Sequence, residues 1–175
     1  LIVATLILSA TFGGNAKAGL ITISTDQDNV AVGEMIELTL NATGFDEFDT
    51  FGINVDFDTS LFSFLPATFT TDLPTFGMLW NQVENSVAIG FVDIFPTSGD
   101  FLLGKFNLIA LKTGSTNFNL RVNEFSLSDP FDPFAIATPV YAGVSQPAFA
   151  SVPEPTTFAI FALGMIGLVI RGIKK

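Results

Sequence analysis

Between Leu20 and Phe149 the apolar residues fall at every second position, in short runs interrupted by turn residues. Side chains on an extended chain alternate between two faces, so this spacing builds strands with one buried and one wet face. Ile21 and Ile23 alternate with Thr22 and Ser24; Ile36, Leu38 and Leu40 with Glu37, Thr39 and Asn41; Phe51, Ile53, Val55 and Phe57 with Gly52, Asn54 and Asp56. Further on, Phe106, Leu108 and Ala110 oppose Lys105, Asn107 and Ile109, and Phe118, Leu120 and Val122 alternate with Asn117, Asn119 and Arg121. No stretch of this region sustains a helical period. Turn signals recur at Asp28-Asn29, Ala42–Gly44, Pro96–Gly99 and Thr113-Gly114. Strands of this length joined by turns predict an all-β fold, an antiparallel β-sandwich.

Two stretches depart from the pattern. Ser86–Ile94 carries Val87, Ala88, Ile89, Gly90, Phe91 and Val92 without interruption, which predicts a strand covered on both faces. Gly90 in its middle marks a bulge or the close approach of another backbone. After Val122 the alternation gives way to Asp129-Pro130-Phe131-Asp132-Pro133-Phe134, a proline-bearing repeat, and the pattern assigns no final strand.

The chain has 175 residues, room for one ordinary domain. Its formal net charge is −10, but the bases gather at the ends: Lys17 near the start, Arg171, Lys174 and Lys175 at the finish. Between residues 19 and 152 only Lys105, Lys112 and Arg121 stand against sixteen of the seventeen acids, a net charge of −13. Such a body repels nucleic acid, whose binders need a basic face to release phosphate counterions. It repels anionic lipid for the same reason. Cys and His are absent, which removes thiol nucleophiles, imidazole bases and the thiolate and imidazole metal ligands. A domain of this size can be stable without disulfides, so cysteine usage does not decide the compartment and the terminal segments must.

Leu1–Phe12 is apolar and leads to Ala16-Lys17-Ala18, a small-x-small site of the kind signal peptidase cuts, here before Gly19. Residues 1–18 are expected to be a signal peptide, shortened at its front because it opens on Leu1 without a basic leading region. Residues 156–170 form an uncharged, largely apolar stretch that ends against Arg171, Lys174 and Lys175. It is shorter than the roughly 20 residues of a comfortable span, yet local thinning and snorkelling bases allow a single transmembrane helix. The positive-inside rule keeps those bases cytoplasmic and the acidic body outside. The expected organisation is a leader over 1–18, a sandwich over 19–150 and a tail over 151–175.

Val152-Pro153-Glu154-Pro155 precedes the apolar stretch, and its two prolines hold the chain extended and exposed. The order of this motif, the hydrophobic segment and the Arg171, Lys174, Lys175 cluster resembles the PEP-CTERM sorting signal of exopolysaccharide-producing Gram-negative bacteria. The resemblance implies recognition by an exosortase, a membrane-embedded cysteine protease or transpeptidase, and removal of the tail. Within the body, Val32-Gly33-Glu34, then Gly52-Ile53-Asn54-Val55-Asp56-Phe57-Asp58 leading to Leu61 and Phe62, then Leu103-Gly104-Lys105-Phe106, and Thr113-Gly114-Ser115-Thr116 before Phe118, look like the cohesin domain. That similarity implies a nine-stranded jelly-roll sandwich, related to carbohydrate-binding modules, whose known members bind dockerin modules through one sheet face.

Asp46, Glu47 and Asp49 fall in one loop of the expected fold, Asp56 and Asp58 close a strand, and Asp129 and Asp132 flank the proline repeat. Clustered carboxylates can supply an oxygen shell for structural Ca²⁺, and Asp46, Glu47 and Asp49 are the candidate ligands. No EF-hand loop is present, and a solvated acidic surface is the competing reading. Paired carboxylates also suit glycoside hydrolysis, but with acids spread along the chain a pair carries little information, and no enzyme is expected. Phe occurs 20 times against one Trp and one Tyr; Phe lacks a polar tip and belongs in the core, which leaves Trp80 and Tyr141 as candidates for stacking on a sugar. Asn41-Ala42-Thr43 matches a glycosylation sequon, without weight in a bacterium. The expectation is an exported, membrane-anchored surface or matrix protein, without a cofactor beyond structural calcium, whose sandwich binds a dockerin-like module or exopolysaccharide. A purely structural matrix component without a discrete ligand is the alternative.

Replacing Pro153, Glu154 and Pro155 together by alanine tests the tail. Export depends on the leader and insertion on residues 156–170 with their basic flank, and the substitution touches neither. Fractionation and mass analysis in the native host should find the variant exported but retained in the membrane, as in a strain lacking its exosortase. Release and shortening like wild type would reduce the tail to an anchor.

Overall fold

The computed structural model describes residues 19–128, 136–140 and 142–154. The expected signal peptide, the proline-bearing repeat, Tyr141 and the expected transmembrane helix lie outside them. Among the described residues no helix is long and apolar enough to cross a membrane.

The strands are β1 (Gly19–Thr25), β2 (Met35–Asp56), β3 (Phe62–Thr70), β4 (Met78–Val83), β5 (Ser86–Ala110), β6 (Gly114–Leu127), β7 (Thr138–Pro139), β8 (Ala142–Val144) and β9 (Ala148–Val152). Two of them are far longer than the usual strand: β2 has 22 residues and β5 has 25. They pair antiparallel from Met35 opposite Ile109 to Asp56 opposite Ser86, with register shifts between Leu40 and Thr50. The first half of β2 has β1 on its other side and the second half has β6. Likewise β3 joins the second half of β5, and β4 joins the first half. One layer therefore runs β1–β2–β5–β3 and the other β6–β2–β5–β4, and the two long strands belong to both.

The turns expected at Ala42–Gly44 and Pro96–Gly99 do not end strands. They lie inside β2 and β5, where the chain bends from one layer into the other instead of reversing. Gly44 has φ 67° and Gly99 φ 90°, a region closed to most side chains, so glycine lets each strand kink without breaking. Every strand pairing is antiparallel except that of β1 with β8. The final strand that alternation could not assign is β9, which pairs Ala148–Val152 with Phe118–Gly114 of β6. It carries the sandwich two residues beyond the expected boundary at 150, and Val152 is buried.

Inward-facing side chains of both layers form one hydrophobic core. Ile36, Leu38 and Leu40 on one half of β2 and Ile53 and Val55 on the other are wholly buried, as period-two alternation requires. Where the layers exchange strands, Phe48 is 0% exposed. The rings of Phe45, Phe51, Phe91, Phe101 and Phe125 surround it with centroids 5.2–6.4 Å away, mostly edge to face, the arrangement that ring quadrupoles favour. On the side where β3 and β4 approach, Trp80 stacks on Phe69 with centroids 4.5 Å apart. A Cβ at Gly104 would stand 2.9 Å from the Phe69 ring, so glycine is needed there for packing.

Phe48→Ala should therefore destabilise the sandwich by about 3–5 kcal/mol, the range for emptying an aromatic core site. Phe76→Ala, at a fully exposed ring, should stay within about 0.5 kcal/mol of wild type. Urea unfolding of both variants checks this, and equal losses would contradict the assignment of Phe48 to the core.

Candidate functional site

The outer face of the β6–β2–β5–β4 layer departs from an ordinary wet sheet surface. Along β5, Val87, Ile89 and Phe91 point inward and are buried, while Ala88 and Gly90 are half-buried and Val92 is 63% exposed. The expectation that Ser86–Ile94 is covered on both faces is thus corrected: its second face is apolar but faces solvent. The reading of Gly90 is corrected as well. Pairing continues without a register shift from Val92 to Ser86, so there is no bulge, and a Cβ at Gly90 would meet nothing nearer than 3.8 Å.

Register explains the shape of this face. Gly90 lies opposite Gly52 on β2 and opposite Leu79 on β4, so one row across three strands holds two residues without side chains. The next row holds Asn81, Ala88 and Asn54, with Arg121 beyond. The result is an open trough of about 480 Å³ floored by Gly52, Gly90 and Ala88, with Leu79 on one flank and Asn123 on the other. A Cβ at Gly52 also fits, its nearest neighbour being 3.8 Å away. Neither glycine has positive φ. The fold does not demand glycine at either place; the low floor is what the two residues produce.

Polar groups edge the trough toward one end. Arg121 donates to both carboxylate oxygens of Asp56, Nε at 3.1 Å and Nη2 at 3.0 Å. These hydrogen bonds, and then the charge of Asp56, hold the guanidinium above its ordinary pKa. The side-chain amides of Asn54 and Asn123 face each other at 3.0 Å. Toward the other end the surface is apolar, with Ile94, Phe95 and Phe76 all strongly exposed.

The residues singled out from the sequence are placed as follows. Asp46 and Glu47 are exposed, whereas Asp49 turns inward and accepts a hydrogen bond from the Ser128 amide at 2.8 Å. The three carboxylates do not converge: among the described residues no group of three or more Asp or Glu could hold a metal ion. Asp58 accepts from the Ser60 amide at 2.8 Å, and hydrogen bonding from Ser60 lowers its pKa. The Trp80 ring is committed to Phe69 on one face, and its indole Nε1 donates to the Pro66 carbonyl at 3.2 Å. Of the sorting motif, Val152 is locked into β9, and Pro153 and Glu154 follow it exposed. Ala16, Ala18, Tyr141, Pro155, Arg171, Lys174 and Lys175 lie outside the described residues. Gly52, Leu79 and Asn123 were not singled out as site residues, and Gly90 was noted only as a bulge or close approach; the unbroken apolar run at 86–94 was the signal that pointed there.

Residues 151–175 match the PEP-CTERM protein-sorting motif. No curated protein sequence matches the chain. The fold is similar to the seventh ScaB type I cohesin from Pseudobacteroides cellulosolvens, at 12% identity and TM-score 0.59, covering 78% of this chain and 94% of that one. It is similar to a non-cellulosomal cohesin from the hyperthermophilic archaeon Archaeoglobus fulgidus, at 16% identity and TM-score 0.56, covering 77% and 91%. The cohesin of a type I cohesin–dockerin complex from Clostridium thermocellum matches at 12% identity and TM-score 0.58, covering 79% and 96%. At such identities the likeness establishes the fold. The chain thus carries a PEP-CTERM sorting motif behind a β-sandwich of cohesin architecture, and the motif indicates an exported protein processed by an exosortase at the cell envelope.

Proposed function

We propose that this chain is a non-catalytic docking protein of the cell envelope, whose sandwich holds a protein partner in the glycine-floored trough of the β6–β2–β5–β4 layer. The observation that carries the reading is the pairing of Gly52 with Gly90 beneath exposed Leu79 and Val92. It is a low, apolar floor that the fold does not need and that water covers poorly. The dockerin bound to the Clostridium thermocellum cohesin supports a protein module as the occupant. Leu79 and Val92 are aliphatic, Trp80 is engaged with Phe69, and sugar platforms rely on half-wet aromatic faces, which favours a protein over a polysaccharide. A body of net charge −13 selects a partner that is neutral or basic at the contact.

Filling the trough separates docking from folding. Gly90→Val places a β-branched side chain on the floor, at a position with room for its Cβ, and strand propensity favours valine there. Titrating the host's dockerin-type modules and, separately, its exopolysaccharide should find a module that binds wild type and binds Gly90→Val at least about tenfold more weakly. Thermal stability of the variant should be unchanged or raised. Binding of the polysaccharide alone, or a module indifferent to Gly90→Val, would contradict the proposal.

A further inference from the structure

A second feature of the sandwich lies beside the trough, where β5 leaves register. Between the pairs Thr50–Val92 and Phe48–Thr97, the single residue Asp49 of β2 opposes the four residues Asp93–Pro96 of β5. The looped-out segment and the end of β6 enclose a depression of about 410 Å³ lined by Asp49, Asp93, Ile94, Pro96 and Ser128. Asp49 is 6% exposed. Its Oδ2 accepts from the Ser128 amide at 2.8 Å, but Oδ1 is buried without a hydrogen-bond partner. Asp93 directs Oδ1 to the amides of Ile94 and Phe95, at 2.6 and 3.3 Å.

A buried carboxylate oxygen without a partner is strongly unfavourable, because water no longer solvates it and nothing replaces that solvation. The ion pairs among the described residues join Lys105 to Glu37 and Arg121 to Asp56, so neither cation serves Asp49. We propose that this depression is a Ca²⁺ site built on Asp49 and Asp93. The donors are all oxygen, which suits a hard divalent cation, and an irregular loop suits calcium, which accepts variable geometry, better than magnesium, which demands a near-ideal octahedron. Two carboxylates make a weak site, with Kd on the order of 10⁻⁴–10⁻³ M, the range of extracellular modules. Bound cation would stiffen the segment that displays Ile94 and Phe95. This assignment differs from the Asp46, Glu47, Asp49 cluster expected from the sequence, and it stands independently of the trough.

The test uses the full chain in detergent, titrated with calcium by calorimetry and melted in calcium, magnesium or chelator. Wild type should bind calcium and gain about 3–10 °C in Tm at about 10 mM, with a smaller response to magnesium. Asp93→Asn keeps an oxygen for the loop amides but removes the charge, and it should abolish the calcium shift. Asp49→Asn should do the same, whatever it does to the Tm in chelator. Asp46→Asn with Glu47→Gln should retain the shift. A wild type indifferent to calcium, an equal response to magnesium, or a shift that survives in Asp93→Asn would overturn the site.

Discussion

The pairing of β2 with β5 across both layers is the constraint on which the rest of this structure depends. The same two strands contribute to each face, so the layers are connected through backbone hydrogen bonds as well as packed side chains. That continuity requires each strand to kink where it changes layer. Positive-φ glycines at 44 and 99 permit the kink, and Phe48 with its five aromatic neighbours fills the space the kink opens. The Asp49 depression is a product of the same event, since four residues of β5 are displaced opposite one of β2. Irregularity at a strand crossing thus supplies both the aromatic plug and the candidate cation site.

Much of the fold was legible in the sequence because burial on one face imposes a period of two, and every alternating run named above lies on a strand, apart from Phe57, which follows the end of β2. The crossings were not legible. Ala42–Gly44 and Pro96–Gly99 carry the residues of reversing turns, and only the long-range pairing of β2 with β5 makes them bends. β9 escaped because Ala148–Val152 is short and finds its place by pairing with β6, thirty or more residues earlier in the chain. The trough was half legible: an unbroken apolar run at 86–94 shows that both sides of a strand are hydrophobic, but periodicity cannot tell a covered second face from a waiting one. The acidic residues were the least legible, because bulges around Phe48 reset which side chains point inward, leaving Asp49 buried and its neighbours Asp46 and Glu47 in water.

The tail and the proposed docking face are arranged compatibly. Val152 pairs with Gly114 at one end of β6, so the chain leaves the sandwich there, beside the Asp58–Thr116 contact. The apolar residues Ile94 and Phe95 lie near the opposite end, where Ser128 follows β6 and meets Asp49. A tether at the first end leaves the trough along the side of the molecule and the apolar rim pointing away from the attachment. The sorting motif begins on residues 151 and 152, inside β9, which puts Pro153 and Glu154 immediately beyond the folded body.

The central claim is that this sandwich docks its partner on the outer face of the β6–β2–β5–β4 layer. An NMR titration of the isotopically labelled protein with a host dockerin-type module locates the contact directly. The account predicts that the amide signals of Gly52, Leu79, Ala88, Gly90 and Asn123 move together, while those of Ile21, Thr39 and Ser63 in the other layer stay in place. Shifts confined to β1, β3 and the first half of β2 would contradict it.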